Sequence, residues 1–547
     1  MTTLPPEPEP TPAPPPSSCQ RVIAAYDRIA EVDRPDIWIT LRPVEDALVD
    51  AKAVDERVRT GADLPLAGTL AAVVDVIDVL DVAGLPSAGE DVCRVGATSV
   101  SRLTAAGTVV IGKTNCDRFG GDLEHTHSPY GGVSAALNTA CVSGSASSGA
   151  AVAVALGLVD LAVGTDTAGA GRVPASLNGI VGLKPTLGLV PKTGAAPCAG
   201  ISLFARSLTL GQRALGLMTG PDGIDPLVRD WPPDVRLSAG DRPRVAIPGS
   251  DILTDLTLRS RSAFLGAVSA LRASGALVEP VEISALLSVG ELIHDDGFTA
   301  DRQRVAEAGM IALRMLSEYD ALVLPTVADH PEVAEALSDP DGVSRRLERF
   351  TAFVNLLDLA AVTVPASPSD LGPYGVSVVV RPFDDQVAID LAAVLTDEQA
   401  DFPYPAPGAD LVVFGAHLRG QPLNGRLVAA GARFTGLVQT DEGYRMVLLP
   451  TDPPQPGVVP VPAAGERTML SGERWRLSPA ALGAFAATLP APFVLGRIRL
   501  ENGETPLAVL CDQAATANAT ELTKYQCWRA YLRFVSTAGP RDLGRPA

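Results

Sequence analysis

The stretch from Cys141 to Lys184 limits what this chain can fold into more than any other. It contains SGSASSGAAVAVALG and then GTDTAGAGRVPASLNGIVGLKP, with no large side chain before Leu156. Loops this rich in Gly, Ser and Ala let backbone approach a small ligand closely. A helix starting near Ser147 would turn its N-terminal amides toward an anion. Neither a Gly-x-Gly-x-x-Gly nor a Gly-x-x-x-x-Gly-Lys-Ser/Thr pattern occurs here, so a nucleotide fingerprint is not supported.

Strand-like and helix-like runs alternate around this centre. Residues 108–112, 161–164, 244–247, 321–324 and 376–381 read as strands, and 19–32, 45–59, 148–156 and 256–272 as helices. The alternation predicts an α/β domain with a mixed or parallel sheet. Residues 1–18 (MTTLPPEPEPTPAPPPSS) form a Pro-rich tail that cannot build a core. Residues 401–409 (DFPYPAPGA) read as a linker. Beyond it, 411–414, 446–449, 457–461 and 497–500 read as short strands, and 479–487 and 524–534 as helices. The expected organisation is therefore a domain over 19–400, the linker over 401–409, and a smaller α+β domain over 410–540.

Composition narrows the function. With 44 Lys+Arg against 63 Asp+Glu the net charge is −19, which argues against nucleic acid and acidic membrane surfaces as partners. The N-terminus has no basic and apolar leader, and no apolar run is long enough to span a bilayer. Seven scattered Cys without a Cys-x-x-Cys pair predict a reduced, cytoplasmic protein without structural zinc. The five His are too dispersed to suggest a metal, and no cofactor motif appears. Only five lysines occur: Lys52, Lys113, Lys184, Lys192 and Lys524.

The central stretch resembles the amidase signature family, whose members carry a Gly/Ser loop followed by a Gly-Thr-Asp-Thr-Ala-Gly-Ser-Gly-Arg-Val-Pro segment. PLAG (65–68), DVAGLP (81–86), VIGKTN (110–115), SPYGG (128–132) and FVNLLDLAAVTVPA (353–366) extend the likeness. VFGAHLRGQPLNGRL (413–427) and CWRAYL (527–532) resemble the C-terminal domain of allophanate hydrolases. The resemblance implies a mixed central sheet covered by helices, plus the smaller C-terminal domain. It implies a place in urea or cyanurate breakdown, where such enzymes release ammonia from allophanate and the C-terminal domain is associated with decarboxylation.

The family's amide chemistry uses a Ser nucleophile, a bridging Ser and a Lys. An alcohol attacks only once a base takes its proton, and the Lys serves only if its site keeps it neutral. Matching the motifs puts Ala170 at the nucleophile, Ala146 at the bridging Ser and Val74 at the Lys, with a short insertion near Val79–Asp81. No Lys lies between Lys52 and Lys113, so the last match does not depend on the gap. None of the three side chains can attack or titrate, and losing such a triad costs on the order of 10⁶-fold in rate. Ser145, Ser147 and Ser148 are nearby hydroxyls that loop bonding and helix N-capping explain. Lys113 matches a second Lys of active relatives.

What remains reads as a binding site. The backbone of Thr167, Ala168 and Gly169 could form a nest for a carbonyl or carboxylate. The family's substrate clamp of Tyr and Arg becomes His294 and Arg302, and a guanidinium suits a carboxylate. Asp166 and Arg172 brace the loop. In the C-terminal part, His417 matches a His implicated in decarboxylation, a step for which a cationic or proton-donating group suffices. Three functions follow. The first is a pseudoenzyme that binds a small ureido or carboxylate ligand, or a partner such as a paralogous amidase or a second copy of itself. The second is an enzyme retaining C-terminal decarboxylation through His417. The third is a true amide hydrolase with an unrecognised nucleophile.

Overall fold

The computed structural model describes residues 16–82, 96–116, 131–195, 200–293, 302–366, 372–400, 408–461 and 468–537. Most of the Pro-rich tail lies outside them, but its end does not: the Ser17 side chain caps helix Ser18–Val32, so the last tail residues belong to the first helix.

Eleven strands build one sheet. In chain order they are β1 (Trp38–Leu41), β2 (Leu70–Val74), β3 (Val109–Thr114), β4 (Leu161–Asp166), β5 (Val181–Lys184) and β6 (Gly200–Ala205). The rest are β7 (Arg244–Pro248), β8 (Leu277–Val281), β9 (Ala321–Pro325), β10 (Ala360–Pro365) and β11 (Gly375–Val380). Their order across the sheet is β1-β3-β2-β4-β6-β5-β10-β11-β9-β7-β8. β2 runs parallel to β3 and β4, whereas β6 is antiparallel to β4 and β5, so the sheet is mixed.

Helices cover both faces, as the side chains require. Ala72, Ala162 and Phe204 join an apolar cluster with helix Ser148–Ala155, while Val73, Val163 and Leu203 join a second cluster across the sheet. That is the period-2 alternation of strands buried on both sides. Helix Ser148–Ala155 is buried from Ser148 to Val154, consistent with a sequence that is small and apolar all round. Gly149 shows why size matters, because a Cβ there would lie 2.6 Å from the Asn115 carbonyl and 2.8 Å from that of Ile37.

The remaining strands form two smaller sheets. β12 (Ala409–Val413), β13 (Arg433–Gln439), β16 (Ser471–Leu477), β17 (Phe493–Arg497) and β18 (Leu507–Cys511) make a five-stranded sheet in the order β13-β16-β12-β18-β17. β14 (Tyr444–Leu449), β15 (Gln455–Pro460) and β19 (Thr520–Glu521) make a three-stranded one. Residues 401–407 of the expected linker lie outside the described residues, and Ala409 already opens β12. The strand expected at 497–500 is displaced: Phe493–Arg497 pairs with Leu507–Cys511, and Ile498 and Leu500 are buried in the turn that follows. No helix among the described residues is long and apolar enough to cross a membrane.

Candidate functional site

The parallel pairing of β2 and β4 puts their C-terminal ends at one edge of the sheet, with Val73 opposite Val163. Val74 closes β2, and Thr167–Ala170 leave the end of β4. The Ser145–Ser147 loop is tied to the same end. Ser147 Oγ accepts the Thr165 amide and faces the Thr165 carbonyl, each at 3.1 Å. The fold thus brings the segments bearing Val74, Ala146 and Ala170 to one place; Val74 and Ala170 are buried there and Ala146 is half-buried.

The serines of this loop differ from expectation. Ser147 occupies the N-cap position of helix Ser148–Ala155 but makes no capping bond, because its hydroxyl is the clamp to β4. Ser148 Oγ donates to the Ser145 carbonyl. Ser145 Oγ is buried without a hydrogen-bond partner among the described residues.

Arg172 and Asp166 form the expected brace. Arg172 is fully buried, and its Nε and Nη2 reach the two Asp166 oxygens at 2.8 and 2.9 Å. Its Nη1 donates to the Thr351 carbonyl at 3.0 Å. Burial alone would push the Asp166 carboxyl up, but the Arg172 guanidinium overrides it and holds the group below the usual carboxylate range. Thr351 Oγ1 donates to the Ala168 carbonyl at 2.7 Å, and Asn355 Nδ2 to the Asp166 carbonyl at 2.8 Å. Gly171 allows the loop to close, since a Cβ there would fall 2.6 Å from Ser202 Cβ.

This network corrects the expected nest. The Gly169 amide is spent on Asp166 Oδ1 at 2.9 Å, so Gly169 is not a free donor. The amides of Thr167, Ala168 and Ala170 donate to none of the described residues, so any nest is built from these. Lys113 is committed elsewhere: its Nζ stands 3.5 Å from Asp75 Oδ1, with both side chains buried. Of the expected clamp, His294 lies outside the described residues. Arg302 opens helix Arg302–Glu318, and its side chain lies outside them too. Thr351 and Asn355 were not singled out from sequence, although Asn355 falls inside the FVNLLDLAAVTVPA segment.

His417 sits in a tight turn after β12. Leu418 donates to the Gly415 carbonyl at 3.0 Å, and Asn424 Nδ2 to the carbonyl of His417 at 3.0 Å. The ring stands edge-on to Phe485 with centroids 5.1 Å apart. Nε2 is buried and has no partner among the described residues. Burial, helped by the Arg426 charge, lowers its pKa to about 4. The ring is therefore neutral near pH 7, which bears against the cationic role expected from sequence and leaves the proton-donating one.

A mixed eleven-stranded sheet, with a Gly/Ser loop clamped to the strand that carries a braced Thr-Asp-Thr turn, defines an amidase-type fold. Comparison with known proteins agrees. The amidase family model matches residues 21–312, and the model for the allophanate hydrolase C-terminal domain matches 409–533. The chain belongs to the amidase family and carries an allophanate hydrolase C-terminal domain. The urea amidolyase of Saccharomyces cerevisiae is 29% identical over 93% of this chain and 32% of its own length. That of Lachancea kluyveri is 29% identical over 86% of this chain and 30% of its own length. The chain thus spans about a third of the urea amidolyases it matches. The solved allophanate hydrolase of Kluyveromyces lactis superposes with a TM-score of 0.79 at 26% identity, covering 95% of this chain and 97% of that one.

Proposed function

We propose that this chain is an allophanate hydrolase-like protein that no longer cuts amides and instead binds a small ureido or carboxylate ligand, or a partner enzyme. The observation that carries the reading is a contrast of parts. The brace of Asp166, Arg172, Thr351 and Asn355 is complete, and three amides of the loop donate to none of the described residues. Yet the positions matched to the triad hold Val74, Ala146 and Ala170, none of which can carry or transfer a proton. Ser147 and Ser148 do not offer a replacement, because each hydroxyl is already bonded to backbone, Ser147 to Thr165 of β4 and Ser148 to Ser145 of the loop. A related amidase fold, described as part of a vestigial protein complex, supports a partner as an alternative to a small ligand.

The test follows ammonia and CO₂ separately from allophanate and biuret. No ammonia release is expected from the native chain, and release is expected from the combined Val74→Lys, Ala146→Ser, Ala170→Ser variant. Family-like ammonia release by the native chain would overturn the reading, and its loss in Ser145→Ala would locate the nucleophile. A second reading rests on His417. A buried ring nitrogen without a partner costs about 1–3 kcal/mol, a cost that a bound acid would remove. Such a site would decarboxylate a carbamate-type acid, with CO₂ release lost in His417→Asn.

A further inference from the structure

Beside the braced turn lies a cavity, which none of Val74, Ala146 and Ala170 lines. Its volume is about 180 Å³, and Thr167, Lys184, Thr186, Lys192 and Asn355 contribute to its walls. That is on the order of an engineered cavity that takes a benzene-sized molecule, so the space has room for one small molecule. Two of the chain's five lysines meet here.

Their surroundings differ. Lys184 is 5% exposed at the end of β5. Its ammonium gives one short bond to the Leu359 carbonyl at 2.7 Å and one long contact to the Pro185 carbonyl at 3.5 Å. An ammonium has three donors, so at least one is left for the cavity. Lys192 is half-buried, and its Nζ pairs with none of the described carboxylates. The Thr167 hydroxyl likewise bonds to none of the described residues. One carboxylate, Asp166, also lines the space, but both its oxygens are taken by Arg172. Thr186 is fully used: its hydroxyl donates to Asp385 and accepts the Phe383 amide.

We infer that this cavity is a binding site for a small carboxylate, held between the Lys184 and Lys192 ammonium groups with the Thr167 hydroxyl as a further donor. Charge-assisted bonds of this kind are the strong ones, and the buried Lys184 end of the site screens them less than open solvent does. The inference does not depend on whether amides are cut at the neighbouring turn. Burial holds Lys184 at about 8, with Asp166, Asp358 and Asp385 raising it and Arg172 lowering it further. Its ammonium is present below that value and lost above it, and Lys192 is the other cation facing the space.

The test titrates acetate into the full chain at constant ionic strength, with acetamide as its neutral twin. Binding is read by calorimetry and by thermal shift. Acetate is expected to bind saturably and acetamide not to bind. Affinity is expected to fall as pH rises through about 8. Lys192→Ala, at a half-buried position that pairs with none of the described carboxylates, should weaken acetate by about tenfold or more, which is the worth of one charge-assisted bond. Lys184→Gln should abolish binding. Equal responses to acetate and acetamide would overturn the inference, as would acetate binding unchanged in Lys192→Ala. Because Lys192→Ala tests the site alone, failure of Lys184→Gln to fold leaves the decision intact.

Discussion

His417 offers a quantitative test of the C-terminal site. Its ring is 7% exposed and its pKa falls to about 4, against about 6.5 for a free imidazole. Between those values the unfolded chain binds a proton that the folded chain refuses, so stability rises with pH across the window. The contribution is fully present above about pH 6.5 and is lost as pH falls toward 4. Linkage puts the loss at about 2 kcal/mol between pH 8 and pH 5, and about 3 kcal/mol by pH 4. A His417→Gln variant cannot take up this proton. Urea unfolding of both proteins at pH 8, 6 and 5, followed by the fluorescence of Trp475 and Trp528, should show the native chain losing ground to the variant by those amounts. An NMR titration of the ring should show no protonation near pH 6.5. A pH-independent gap between the two proteins, or a ring titrating at its free value, would refute the claim that His417 is neutral and desolvated.

Other perturbations test the amidase-like part. Asp166→Asn strips the Arg172 guanidinium of its charge partner, and breaking such a buried pair costs about 3–5 kcal/mol, visible as a large drop in thermal midpoint. Gly149→Ala sets a methyl against two backbone carbonyls and should cost about 3 kcal/mol in chemical denaturation. Gly266→Ala is its control: it lies in helix Leu258–Ala273 with nothing within 4 Å of the new Cβ, and should gain up to about 1 kcal/mol.

Which parts of this molecule could be read from sequence follows from how local their causes are. Helix Pro479–Ala487 and the strand at Ala321–Pro325 announce themselves through a capping Ser478 and a short apolar run. β13 and β16 went unread because polar residues and Gly436 break the apolar pattern of RFTGLVQ and charges interleave SGERWRL, on a sheet that is wet on one side. Pairing with β12, far along the chain, makes β16 a strand. The turn at 166–172 was legible as a motif, but not the fate of its donors. Only the folded geometry shows that the Gly169 amide is consumed by Asp166 and that Ser147 reaches across to Thr165 instead of capping its own helix. Lys184 looks like the end of a motif; its cavity depends on the approach of Asn355 from a distant segment.

The division of labour around Asp166 has a historical consequence. The residues that shape the turn are Arg172, Thr351 and Asn355, and the residues that would do chemistry stand at other positions. Reactive atoms can be removed from such a site without unmaking it, because the brace does not lean on them. Under the proposed reading, the same separation makes a loss of amide chemistry reversible in principle, because Val74, Ala146 and Ala170 can be exchanged while the brace stays in place.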